Sequence, residues 1–260
     1  MGKSRKGILT IVHKEEIAEG IIRVELVGEL VKEMDEPGQF IHIRPGMGID
    51  PFLRRPISIC DVNLEENKLT IIFRVEGKGT QLLAETPVGT EVDVLGPLGQ
   101  GFPIHHRQSG DHALLVGGGV GVPPLLYLAK KLVRQGVKVT SIIGFGEKNQ
   151  VFLEDELAFL GTVYVTTIDG SYGYQGLVTD LFPQVKKWNV LYSCGPIPML
   201  KAIQHLFKEE EKEGYLSLEQ RMGCGVGACL ACVCQVNSSE KKYKKICSDG
   251  PVFALEEVAL

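Results

Sequence analysis

The chain has 260 residues, 44% of them hydrophobic and 23% charged, with a formal net charge of -4, the balance of an ordinary globular protein. The length accommodates two domains and a small appendage. The slight acidity argues against a nucleic-acid partner, and His105, His106 and Arg107 are too short a basic patch to reverse that.

Apolar runs are short and broken by Gly, Pro or charge, so no membrane span is expected. The basic start MGKSRKGIL lacks the apolar core of a secretory signal. A cytoplasmic protein is therefore expected, in which clustered cysteines mean metal or redox chemistry before disulfides.

From residue 8 to 95 the chain reads as short strands: ILTIVHKEEI, GIIRVELV, GQFIHIR, PISICDV, KLTIIFRV and TEVDVLG. Ile22, Val24 and Leu26 alternate with Arg23 and Glu25, as in a sheet with one buried face. With one short helix at Thr80 to Glu85 among them, these strands predict a closed antiparallel barrel. Its chemistry-bearing residues are Arg54, Arg55 and Ser58 of LRRPISI, and Gly77, Gly79 and Thr80 ahead of the helix. Arginine suits a phosphate bidentately, and a helix start offers free N–H donors. Taken singly, each is equally a strand edge or a hairpin.

A Gly- and Pro-rich crossing near 96–110 leads to alternating strands and helices. Strands are expected at His112 to Val116, Val137 to Ile143, Thr162 to Thr167 and Asn189 to Cys194. Helices are expected at Pro124 to Gln135, Leu153 to Phe159 and Pro198 to Lys212. Continuous apolar strands of this kind belong to a parallel sheet covered on both faces. ALLVGGGVGVPPLL sets Gly117, Gly119 and Gly121 between strand and helix, an incomplete dinucleotide fingerprint with Pro124 in place of its last glycine. Cys194, Gly195 and Pro196 end another strand of the same sheet.

The last segment holds five of the seven cysteines, and Cys224, Cys229, Cys232 and Cys247 follow C-x4-C-x2-C-x14-C. Three crowded thiolates and a distant fourth, in a loop of Gly223, Gly225, Gly227 and Ala228, suit a 2Fe–2S cluster of the plant-ferredoxin spacing. Zinc also accepts four sulfurs and stays open at this point. Cys234 is set aside, since in an extended segment it points away from the face of Cys232. The expected units are 1–104, a barrel; 105–212, an α/β nucleotide-binding domain; and 213–260, a small cysteine domain closed by a strand near Val252 to Leu255.

Together, RRPIS, GGGVGVPP, CGP and the segment LEQRMGCGVGACLACVC followed by CSDGPVF resemble the ferredoxin–NADP reductase superfamily. Within it the chain is most similar to the electron-transfer subunits of NAD-dependent dihydroorotate dehydrogenases. The resemblance implies an FAD-binding barrel, with Arg55, Pro56, Ile57 and Ser58, then Ile72, Phe73 and Arg74, then Gly79 and Thr80 around the cofactor. It implies NAD at Gly117, Gly119, Gly121, Cys194, Gly195 and Pro196, with no catalytic side chain certain and Cys194 beside the nicotinamide. It places a 2Fe–2S cluster on Cys224, Cys229, Cys232 and Cys247. The superfamily's R-x-Y-[ST] motif has Ile57 where tyrosine is usual, so aromatic stacking on the flavin from this position is absent. Glu147 near the end of the second parallel strand leans the nucleotide toward NAD rather than NADP.

The implied role is to carry electrons from an FMN-containing dihydroorotate dehydrogenase catalytic subunit through the cluster and FAD to NAD, in pyrimidine synthesis, as a heterotetramer of two plus two chains. The lysines of SSEKKYKKIC offer either a rim for that partner or a solvated hairpin. A reductase subunit of a hydrogenase or sulfur-reducing complex shares the same build. A zinc-stabilised nucleotide-binding adaptor is the alternative without redox chemistry.

Overall fold

The computed structural model describes residues 5–46, 48–185, 187–207, 212–237 and 242–260. The first residues of the basic start, and part of the SSEKKYKKIC run, lie outside them.

The barrel forms as expected. Strands β1 (Arg5–Ala18), β2 (Ile21–Val27), β3 (Phe40–Ile43), β4 (Arg55–Asn63) and β5 (Lys68–Arg74) precede the short helix α1 (Lys78–Glu85), and β6 (Glu91–Leu98) follows it. They close in the order β1-β2-β5-β4-β3-β6, every pair antiparallel. Alternate residues point inward, so Leu9, Ile11, Val24, Leu26, Ile59 and Ile71 fill the interior. Each such side chain contributes about 1.5–3 kcal/mol on full burial.

The second half supplies β7 (His112–Gly118), α2 (Pro123–Arg134), β8 (Lys138–Phe145), α3 (Glu154–Ala158), β9 (Thr162–Thr167), β10 (Tyr174–Gln175), β11 (Val190–Cys194) and α4 (Ile197–Leu206). Proline at the first turns of α2 and α4 costs nothing, because those N–H groups have no partner within the helix. Helix α4 was expected to reach Lys212; it ends at Leu206, and residues 208–211 lie outside the described ones.

Three strands extend the sheet beyond the four expected: β10 at one edge beside β9, and two at the other, of which the last is the strand expected near Val252 to Leu255. β12 (Glu213–Ser217) pairs in parallel with β11, and after the hairpin β13 (Val233–Gln235) and β14 (Tyr243–Lys245), β15 (Val252–Ala254) runs antiparallel to β12. The sheet order is β10-β9-β8-β7-β11-β12-β15, parallel throughout except for its last edge strand. Both ends of the expected 213–260 unit are thus part of the central sheet, and the cysteine loop is an excursion between adjacent strands.

Barrel and sheet share a core. Cys60 and Ile72 of the barrel pack into one cluster with Leu125 and Ala129 of α2. At the crossing, Arg107 donates from Nε to the Tyr192 hydroxyl at 3.2 Å and meets Glu213, and the same hydroxyl donates to the Pro103 carbonyl at 3.0 Å. Arg107 therefore ties the crossing to the sheet.

Candidate functional site

A cleft of about 640 Å³ opens where the barrel meets the sheet; Arg55, Pro56, Ser58 and Thr80 line it from the barrel, Glu219 and Met222 from the far side. The two arginines of LRRPISI have different tasks. Arg54 is committed to the barrel, donating to the Asp93 carboxylate at 2.8 Å and to the Asp93 and His42 carbonyls at 2.9 and 3.3 Å. Burial works against the Asp93 charge, yet bonds from Arg54 and Lys6 hold its carboxyl below the usual range.

Arg55 lies across the start of α1, so close that a Cβ on Gly79 would come within 2.2 Å of its Nε. Only glycine lets the guanidinium sit over that helix turn. Thr80 Oγ1 accepts from the Glu76 and Gly77 N–H groups at 3.0 and 3.2 Å, fixing the same turn.

The pleat sends neighbouring residues elsewhere. Ile57 faces the barrel core, as does Phe73, and Ile72 packs between barrel and α2. The cleft's wall on β4 is consequently Pro56 and Ser58, with Ile57 behind it. Arg74 stands at the mouth of the next cavities.

Two adjoining hollows of about 260 and 390 Å³ lie over the carboxyl ends of β7 and β11 and share Arg74, Gly118, Gly119 and Pro196. Gly121 and Gly195 line the smaller. A Cβ on Gly121 would come within 2.3 Å of the Cys194 carbonyl oxygen, and one on Gly118 within 2.8 Å of Met199 Sδ, so the glycine loop and the CGP turn are packed backbone to backbone. Gly117 and Cys194 do not reach either hollow. Gly117 packs on Val122 and Leu125, and the Cys194 thiol is fully buried, which pushes its pKa up and leaves it without nucleophilic character. Glu147 stands behind Gln150, which lines the larger hollow and donates to it at 3.3 Å.

In the cysteine loop Cys224 Sγ accepts N–H groups from Val226, Ala228 and Cys229 at 3.3–3.4 Å, and Cys247 Sγ accepts one from Gly227 at 3.2 Å. Partial burial would raise the Cys224 pKa, but these donors outweigh it and bring it down to about 6. Cys247 is pushed up to about 12, by burial first and by the neighbouring Cys232 thiol next. The thiols thus approach in two pairs, Cys224 with Cys229 and Cys232 with Cys247. Among the described residues no three His, Cys, Asp or Glu side chains converge on one metal position. A binuclear cluster takes two thiolates on each iron. The donor set fits 2Fe–2S. Cys234 sits on β13, half-buried and packed on the core.

Three residues escaped the sequence reading. Glu76 and Glu219 line both the large cleft and the smaller hollow, the only carboxylates to do so among the described residues. Glu219 is open to the cleft but walled by protein; that burial, and then the Glu76 charge, raises its pKa. His42, on β3, is fully buried against the cysteine loop, where a Cβ on Gly225 would lie 2.7 Å from its Nδ1. Burial first, and Arg54 next, lower its pKa to about 4; the Cys224 backbone draws the other way without giving either ring nitrogen a hydrogen-bond partner. Only the odd histidine within the apolar run FIHI signalled it in the sequence.

Residues 219–259 match the iron–sulfur cluster binding domain of dihydroorotate dehydrogenase B. The chain is 51% identical over 259 residues to the Bacillus mycoides dihydroorotate dehydrogenase B (NAD(+)) electron transfer subunit, covering 98% of this chain and 99% of that protein. The Bacillus cereus (strain AH187) counterpart is 52% identical with the same coverage. Among solved structures, an NADH-dependent reduced ferredoxin–NADP oxidoreductase aligns with a TM-score of 0.86 at 31% identity, over 97% of this chain and 90% of that one. The Amycolatopsis cytochrome P450 reductase shares the fold at a TM-score of 0.68, 23% identity, and 81% and 68% coverage. With half its residues identical over nearly the full length of these relatives, and the thiol pairs in place, the chain belongs to the family of dihydroorotate dehydrogenase B (NAD(+)) electron-transfer subunits.

Proposed function

We propose that this chain takes electrons from a dihydroorotate dehydrogenase catalytic subunit and delivers them to NAD, serving pyrimidine biosynthesis. The observation that carries the reading is adjacency. The thiol loop closes on the barrel strand that also lines the large cleft, and that cleft shares Glu76 and Glu219 with the hollow over the glycine loop. When bound, an iron–sulfur cluster exchanges electrons singly, NAD as a hydride, and FAD either way, so the flavin belongs between the other two.

The chain's residues position these groups. Arg55, with the α1 start at Gly79 and Thr80, would hold the FAD diphosphate, and Pro56 and Ser58 would wall the cofactor. Ile57, Ile72 and Phe73 keep the barrel strands rigid behind it, and Arg74 stands between the two sites. Gly119, Gly121, Gly195 and Pro196 let NAD approach the backbone, while Gly117 and Cys194 set the spacing beneath. Cys224, Cys229, Cys232 and Cys247 would hold the 2Fe–2S cluster, with backbone N–H groups donating to the Cys224 and Cys247 sulfurs. Electrons from a cluster come without protons, so the hydride given to NAD would draw one proton from water in the cleft. The partner would carry FMN, in a heterotetramer of two plus two chains working in the cytoplasm. No helix among the described residues is long and apolar enough to cross a membrane.

The test is composition and colour. Protein isolated without oxygen should show flavin bands with a broad iron–sulfur shoulder, and contain iron, acid-labile sulfide and FAD; mixed with the FMN subunit it should reduce NAD at the expense of dihydroorotate. A colourless, zinc-loaded protein overturns the reading.

A further inference from the structure

His42 sits where barrel and cysteine loop touch. Phe40, two residues earlier on the same face of β3, lines the large cleft, as does Pro56, the residue paired with His42 across β3 and β4. On its other side lies Gly225, whose φ of +72° and missing side chain let the ring approach. The imidazole is fully buried; the Cys224 and Arg54 backbones approach its ring, but neither nitrogen makes a hydrogen bond of good geometry among the described residues. Buried polar groups are rarely left so, and an apolar side chain would fill the same space without the loss. Its backbone is already fixed, since the His42 carbonyl accepts from Arg54. The ring itself is what lacks a partner, and it lies against the loop beside Cys224.

We propose that His42 is a positioning residue of the iron–sulfur site, its ring N–H donating toward the Cys224 side of the cluster and joining the flavin-lining face of the barrel to the cluster loop. Whichever tautomer it takes, the ring offers at least one N–H donor. Sulfur acceptors, thiolate or bridging sulfide, supply the missing partner. A hydrogen bond to sulfur stabilises the reduced, more negative cluster and so raises its reduction potential. This rests on the cluster reading above and adds the residue that tunes it.

The test is a potential titration followed by electron paramagnetic resonance on the holoprotein, for wild type, His42→Leu and His42→Gln. Iron, sulfide and FAD analysis of the wild type comes first; absence of a cluster there defeats the function reading itself. With the cluster present, His42→Leu should shift its equilibrium toward the oxidised form roughly tenfold, about 59 mV for one electron. His42→Gln, which keeps an amide donor, should recover part of the shift. The flavin potential of the same sample should stay put. An unchanged cluster potential, or a parallel shift of flavin and cluster, overturns the proposal. Should the variants fail to load, the wild type decides: with ¹⁵N-histidine, pulsed resonance of the reduced cluster should detect an imidazole nitrogen, and its absence overturns the assignment.

Discussion

Two glycine-rich loops govern this molecule, and they use glycine for different reasons. At the end of β7 and in the loop after it, Gly117, Gly118 and Gly121 are hemmed in, each with a neighbour under 3.0 Å from where a Cβ would stand. In the cysteine loop, Gly225 and Gly227 adopt φ of +72° and +80°, which turns successive N–H groups toward sulfur. The first loop needs glycine for space, so that two backbones and a nucleotide can meet. The second needs it for direction as well as space, so that a chain can wrap around its thiolates while His42 and Ser248 press against Gly225 and Gly227. Similar composition therefore encodes a packing device in one place and a ligand cradle in the other.

The sharpest way to break the comparison is to remove a ligand from the cradle alone. Cys232→Ser should abolish electron exchange with the catalytic subunit while NADH oxidation by an artificial flavin acceptor persists, read from iron content and the two rates. Equal loss of both would mean that the loop supports the fold as the nucleotide loop does. Next in size, Gly121→Ala should destabilise the protein by about 1–3 kcal/mol through overpacking against the Cys194 carbonyl, seen as a lower midpoint in urea. Gly225→Ala combines about 1–2 kcal/mol for a left-handed backbone with a Cβ 2.7 Å from His42 Nδ1, and should show mainly as lost iron with FAD retained.

The smallest effect concerns Glu219, at the seam of the two clefts. Its pKa is raised in the folded protein, so the folded state holds the proton more tightly than the unfolded chain does. Its contribution is therefore least unfavourable below the ordinary carboxylate range and becomes a penalty as pH rises through the raised value. Glu219→Gln should raise the urea midpoint slightly at neutral pH and leave it nearly unchanged in acid. An equal gain at both would deny the charge any part.

Much of this was legible in the sequence because it depends on local pattern. The alternation of Ile22 with Arg23, the proline-started helices and the cysteine spacing each act within a few residues. What was hidden depends on distant segments meeting. β12 was hidden because EGYLS follows a charged run that extends the pattern of α4, and only pairing with β11 makes it a strand. That Ile57 stands behind the wall made by Pro56 and Ser58 was hidden because the pleat's facing is set by barrel closure. Glu219 and His42 gain their meaning from residues far away in the chain, Glu76 and Gly225, which no local signal connects.

The cysteine excursion leaves from β12 and returns on β15, its hydrogen-bonded neighbour, with Leu218 N–H donating to the Pro251 carbonyl at 2.9 Å and Gln100 N–H to that of Gly250. A detour stitched shut at its base can be emptied and refilled while the sheet beneath stays paired. Iron and sulfide added back to protein that has lost its cluster should therefore restore it without unfolding the sheet.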